Sequence, residues 1–333
     1  MVQDKQLSTP KEKTNWQKLF WAGKLLITLL ILSYIYKTFL NEQKGIGDIR
    51  SVYEQILNEK NLLTLLAVLF LVPVNWALES LKWQILARKA VPITFREAFR
   101  GTLTGLAVGV AAPAQLGDTI GRVAALKSDH RLKAIGAAII SNGIQFYVSL
   151  IFGGLGLIRT GDRIGIDTHG KLLLYSLLMV LILLGMLIIS FRQRITNWQP
   201  QKPFAKKILS YFQIIGAYTK TDLLIATLYG TLRYIVFLSQ FLIVLSLFNF
   251  QLSLGELSSC VALIFLAKTL IPAINVLGDL GLREFTALFV FKQYNLPPEQ
   301  IIAATFLVWI VNVLGPILIG IFLIWKYKWK AAR

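Results

Sequence analysis

The side chains best suited to chemistry in this 333-residue chain come in two matching sets. Leu116-Gly117-Asp118 is followed by Arg122, and Leu277-Gly278-Asp279 by Arg283, at a constant offset of 161 residues. Each set lies in an apolar segment interrupted by proline and glycine: Pro113, Gly117 and Gly121 in the first, Pro272, Gly278 and Gly281 in the second. A helix that restarts after such a break aims N–H donors at an anion, and the glycines permit close backbone approach. Arg122 and Arg283 add planar, bidentate donors that fit a phosphate. Asp118 and Asp279 suit orienting those arginines, binding a coupling cation or carrying a proton, and Glu284 is a further acid beside Arg283. The competing reading is neutralisation across one helical turn, Asp118 with Arg122 and Asp279 with Arg283. Charge within a membrane is costly and usually retained for a task, so an acid–base pair placed twice favours function.

These residues need a membrane around them. Hydrophobic residues make up 55% of the chain and mean hydropathy is +0.61, more apolar surface than one soluble core would bury. Six stretches reach the roughly 20 residues of a transmembrane helix, at about 19–40, 62–87, 132–158, 172–191, 223–248 and 300–325. The two broken segments, about 95–127 and 257–291, are too short for two crossings and long for one, which predicts hairpins that enter the membrane and return; the runner-up topology lets both cross fully. The first stretch is too long for a signal peptide and reads as a retained anchor.

The formal charge of +18 reads as topology rather than nucleic-acid binding, because Lys and Arg lie between apolar runs. Lys5 to Lys18, Lys82 to Arg100, Lys127 to Lys133, Arg192 to Lys220 and Lys326 to Arg333 mark the cytoplasmic side, with both termini inside. Balanced or acidic segments at 41–61, 159–171 and around the second broken segment mark the outside. The first hairpin is therefore predicted to enter from inside and the second from outside. The 161-residue offset also carries the span at 62 onto that at 223, and the amphipathic stretch Ile49–Leu57 close to Ile208–Ile215. The expected fold is a single all-α, polytopic membrane bundle over 1–333, about six spans plus two re-entrant hairpins. Its inverted repeats would cover about 19–158 and 172–325. Substrate sites in such repeats lie where broken elements meet at the midplane. Lys268 and Arg233, inside apolar stretches, join Arg122, Arg283, Gly117, Gly121, Gly278 and Gly281 as expected substrate contacts, and Asp118, Asp279 and Glu284 are assigned gating or ion coupling. Glu79 and Lys82 read as a surface pair, and Asn142, Gln145, Asn275 and Asn312 as interhelical hydrogen bonders.

No zinc, Walker or serine-hydrolase motif is present, His130 and His169 fall in separate loops, and Cys260 is alone. No metal or cofactor is expected. The expected partners are membrane lipids, with a phospholipid or lipid-linked anion as substrate, in a plasma (inner) membrane. Two further function classes remain: a membrane-embedded lipid-phosphate enzyme using Asp118, Asp279 or Glu284, and a scaffold that transports nothing.

Pro113-Ala114-Gln115-Leu116-Gly117-Asp118, then Gly121-Arg122-Val123, resembles the Pro-x-Arg-x-Gly-Glu…Gly-Arg signature of the lysylphosphatidylglycerol synthase transmembrane-region family. That family includes the flippase domain of the multiple peptide resistance factor. Gly278-Asp279-Leu280-Gly281-Leu282-Arg283-Glu284 is similar to its later acidic-x-Gly-hydrophobic-Arg element. The resemblance implies a flippase-like membrane protein without the soluble catalytic domain of the family's synthases. Gln115 stands where an Arg is common and Asp118 replaces the usual Glu, departures that bear on which head group is accepted.

Overall fold

The computed structural model describes residues 49–110, 116–128, 130–197, 213–270 and 282–326, with scattered positions between 22 and 36. Every regular element among them is helical: α1 (Ile49–Ile56), α2 (Leu62–Ala87), α3 (Phe95–Gly109), α4 (Leu116–Ala124), α5 (Ile135–Thr160), α6 (Thr168–Asn197), α7 (Lys220–Ser246), α8 (Leu254–Leu270), α9 (Leu282–Lys292), α10 (Pro298–Trp309) and α11 (Gly315–Lys326). A π-helical turn, Ile310–Leu314, joins α10 to α11. Apolar runs of this length become helices in lipid because only a helix satisfies its backbone within one segment. Five helical stretches among the described residues are long and apolar enough to cross a membrane: Glu59–Ala87, Arg131–Ile164, Thr168–Arg194, Lys220–Ser246 and Pro298–Lys326. The protein is a polytopic membrane helical bundle. Most of the expected first span, 19–40, and most of the amphipathic stretch Ile208–Ile215 lie outside the described residues.

Local sequence sets the helix starts. Thr94 accepts from the Glu97 N–H while Glu97 accepts from the Thr94 N–H, and Thr219 and Asp222 form the same reciprocal cap on α7. Ser253 and Glu256 repeat the arrangement before α8. Inside α2, Pro73 lacks the N–H that would serve the Leu69 carbonyl, and Gln240 of α7 donates to the preceding carbonyl, Val68, at 3.0 Å. Small residues bring helices together where no hydrophobic force separates lipid from protein. Gly185 of α6 lies against Tyr147 of α5, and Gly154 of α5 against Leu178 of α6.

The chain doubles back at the first break. A Cβ on Gly121 would meet the Gly105 Cα at 2.7 Å, one on Gly109 would meet the Asp118 Cα at 3.7 Å, and one on Gly117 would fall on the Val108 carbonyl. These pairings run in opposite directions along α3 and α4, so the two arms form an antiparallel hairpin. At 15 residues, α3 is about 22 Å long, short of the roughly 30 Å hydrocarbon core. Glu97 and Arg100, at the entry of this hairpin, line the same cleft as Ala125 and Lys127, at its exit.

The connections collect at two ends. At one, Arg88 and Lys89 pair with Asp222 at 3.3 and 2.9 Å, Arg192 donates to the Tyr218 carbonyl, and the Tyr218 hydroxyl donates to the Leu86 carbonyl. Burial, reinforced by the Asp222 charge, pushes the Tyr218 hydroxyl above the usual tyrosine range, which keeps it a donor. Lys326 joins this end through the cleft at the first hairpin. At the other, Asn61 donates to the Gln55 carbonyl and Gln55 to the Leu247 carbonyl, while Arg163 pairs with Glu256 at 3.1 Å and covers the Tyr294 ring at 4.7 Å. Glu256 opens α8 and Tyr294 follows α9, so entry and exit of the second broken segment also share one end.

Candidate functional site

Polar residues recur on one face of α2: Asn75, Trp76, Glu79, Lys82 and Trp83, at helical spacing in an otherwise apolar span. That face turns inward, against α4, α5 and α7. The expectation of a surface pair at Glu79 and Lys82 is overturned: Glu79 is 2% exposed and Lys82 wholly buried. The reason is that α7 and the returning arm α4 both bring an arginine to this face, and a carboxylate is needed between them.

Glu79 is the hub. Its Oε2 lies 2.8 Å from Lys82 Nζ and 3.2 Å from Arg233 Nε of α7, and its Oε1 lies 2.9 Å from Arg122 Nη2 of α4. Arg122 Nε donates to Asp118 Oδ2 at 2.8 Å, one turn earlier on α4. Asn142 of α5 donates to the same Oδ2 at 3.0 Å, and Lys82 donates to Gln145 Oε1 of α5 at 3.3 Å. The indoles close the sides, with Arg122 over Trp83 at 5.8 Å and Arg233 over Trp76 at 5.2 Å. The result is three cations and two carboxylates from three helices, a net single positive charge. Arg122 Nη1 is buried and has no hydrogen-bond partner among the described residues.

Glycine makes the network possible. Around Gly105 a Cβ would stand 2.7 Å from Asp118 Oδ1 and 2.8 Å from Arg122 Cγ, so only a bare Cα lets α3 and α4 close over the pair. Thus Gly117 and Gly121 act where they are seen to act, as the surface of close approach between hairpin arms.

At the second break, Arg283 Nε and Nη2 both reach Oε1 of the adjacent Glu284. The Arg283 guanidinium also stands over Trp309 of α10 at 5.9 Å. Lys268 and Arg283 line one small cavity with Phe237, Phe241, Phe265 and Trp309. Gly278, Asp279 and Gly281 lie outside the described residues, as does Asn275. Asn312, inside the π-helical turn, accepts from Asn75 of α2 at 3.2 Å.

The structure therefore brings together Arg122, Asp118 and Arg233 from the expected set, and separately Arg283, Glu284 and Lys268. Glu79 is a member of this network that the sequence reading did not place there, and Asn142 and Gln145 serve charged partners rather than other amides. The signal for Glu79 was its place among Asn75, Trp76, Lys82 and Trp83 on one face of a membrane span. No group of three or more metal-ligating side chains occurs among the described residues.

A chain with this fold and two charged helix breaks agrees with its resemblance to known sequences. No curated protein and no solved structure matches it. A family model described as Lysylphosphatidylglycerol synthase TM region matches residues 21–320, nearly the whole length. The chain belongs to the lysylphosphatidylglycerol synthase TM region family.

Proposed function

We propose that this protein is a flippase-like translocator that moves a lipid or lipid-linked anionic substrate across a plasma (inner) membrane, with both termini in the cytoplasm. The observation that carries the reading is the shared carboxylate. Glu79 holds Arg122 of the first hairpin and Arg233 of α7 at once. An anionic head group competes with a carboxylate for an arginine through the same bidentate geometry. Exchange of Glu79 for a phosphate would release the hairpin from α7 and re-form the ion pairs after the lipid leaves.

An inverted-repeat plan supports this. The bounds of α2, α3, α4 and α5 recur in α7, α8, α9 and the α10–α11 helix, displaced by roughly 160 residues. The two broken segments open at opposite ends of the bundle, as alternating access between inverted repeats requires. Arg283, Lys268 and Glu284 form the second charged station in this scheme, with Asp118, Asp279 and Glu284 as gating or coupling groups.

The test is transbilayer movement of a head-group-labelled short-chain phosphatidylglycerol in vesicles containing the purified chain. The wild type is expected to accelerate movement, and Arg122→Gln and Arg233→Gln to lose most of that acceleration while remaining monodisperse. Full acceleration in both variants, or chemical alteration of the lipid in place of movement, would remove the proposal.

A further inference from the structure

A second group of cations sits away from the Glu79 network and shares no residue with it. Arg100 of α3, Lys127 after α4 and Lys326 at the end of α11 line one open cleft between the hairpin and the last helix. They come from three separate elements, so helix geometry alone does not gather them. None has a carboxylate partner among the described residues. The one acid in the cleft, Glu97, is already engaged, with Oε2 accepting from the Thr94 N–H at 3.1 Å and from the Thr94 hydroxyl at 3.0 Å.

The cleft has a volume of about 230 Å³. At roughly 30 Å³ per water, that is room for a hydrated phosphate or a phosphoglycerol group, and too little for an acyl chain. The chain has somewhere else to go. Phe322 and Leu323 form one wall, and Phe322 is 62% exposed on the surface that faces lipid. Lys326 Nζ lies 5.8 Å from the Phe322 ring, so the ammonium and the apolar wall are contiguous. Thr104 adds a hydroxyl donor to the lining.

We propose that this cleft is a binding site for the phosphate of an anionic phospholipid, held by Arg100, Lys127 and Lys326 with its acyl chain along Phe322. The phosphodiester oxygens meet a guanidinium fork and two ammonium groups, and a neutral zwitterionic head group would bring a trimethylammonium into the same positive field. A free phosphate offers the same oxygens but gains nothing from Phe322. The site does not depend on translocation; it would also serve a protein that only holds lipid at this end.

The experiment is native mass spectrometry of the purified full chain with phosphatidylglycerol, phosphatidylcholine or inorganic phosphate as probes. The wild type should retain phosphatidylglycerol in preference to phosphatidylcholine. The triple variant Arg100→Gln, Lys127→Gln, Lys326→Gln should lose at least about tenfold of that preference, since a basic side chain beside an anionic lipid surface is worth a factor of about five. Lys127→Arg with Lys326→Arg should keep it, which separates charge from folding. Phe322→Ala should weaken lipid retention and leave phosphate binding unchanged. Wild-type retention by the triple variant would overturn the site. Displacement of lipid by excess phosphate, together with indifference to Phe322→Ala, would overturn the lipid assignment.

Discussion

The two helix breaks carry the same short motif and solve the problem of a buried arginine differently. Arg122 is held by carboxylates on its own arm and on α2, with Arg233 of α7 on the same Glu79. Arg283 is bonded to its immediate neighbour Glu284 and stands against Trp309. The positions 161 residues after Glu79, Lys82, Asn142 and Gln145 are Gln240, Ile243, Ala303 and Phe306. The polar ring of the first station has thus become mostly apolar at the second. Gln240 no longer holds a cation and instead donates to the Val68 carbonyl. Among the described residues, the repeated motif ties its arm to the bundle through Glu79 at the first break, while at the second Arg283 bonds Glu284 and lies against the Trp309 ring. Among the same residues, the ion pair that ties a returning arm to α2 lies at the first break.

That contrast is most sharply tested at the paired positions. Glu79→Leu leaves Lys82, Arg122 and Arg233 facing one another without their shared acid. Removing one partner from a buried ion network costs about 3–5 kcal/mol. Gln240→Leu removes only a neutral donor from a carbonyl and should cost about 1–2 kcal/mol. Thermal unfolding in detergent compares the two, and equal losses would mean that the first station is no more central than the second.

Glycine positions separate a working close approach from a vacant one. Gly117→Ala drives a methyl into the Val108 carbonyl and should destabilise by about 1–3 kcal/mol, the usual cost of overpacking. Gly143→Ala, on α5 with nothing within 4 Å of its Cβ, should stabilise by about 0.5–1 kcal/mol through helix propensity alone. A Gly117→Ala variant as stable as Gly143→Ala would show that the hairpin arms do not need their contact.

Much of the architecture is legible in the sequence because the membrane imposes it. The span expected at 62–87 is the helix Leu62–Ala87, that expected at 223–248 is Lys220–Ser246, and proline with glycine marks both interruptions. The charged pair Asp118 with Arg122 follows from spacing along one helix, whereas Arg283 bonds its neighbour Glu284 and its expected partner Asp279 lies outside the described residues. Glu79 does not, because its role depends on which other helices cross α2 at that height. Sequence position near the end of a span gave it the appearance of a surface residue, while α4 and α7 supply the arginines that bury it. The partners of Asn142 and Gln145 were hidden for the same reason. Their side chains are typical helix-to-helix donors and acceptors, and only the crossing geometry aims them at Asp118 and Lys82.

Opposite insertion of the two hairpins is the claim on which the account rests, and single-cysteine labelling in intact cells tests it directly. In a Cys260→Ala background, Arg96→Cys and Lys127→Cys flank the first hairpin, and Gln251→Cys and Lys292→Cys flank the second; all four positions are exposed. A membrane-impermeant maleimide should label both members of the second pair in intact cells, and both members of the first only after permeabilisation. Labelling of one member of either pair from each side would mean that the segment crosses the membrane, and would contradict the account.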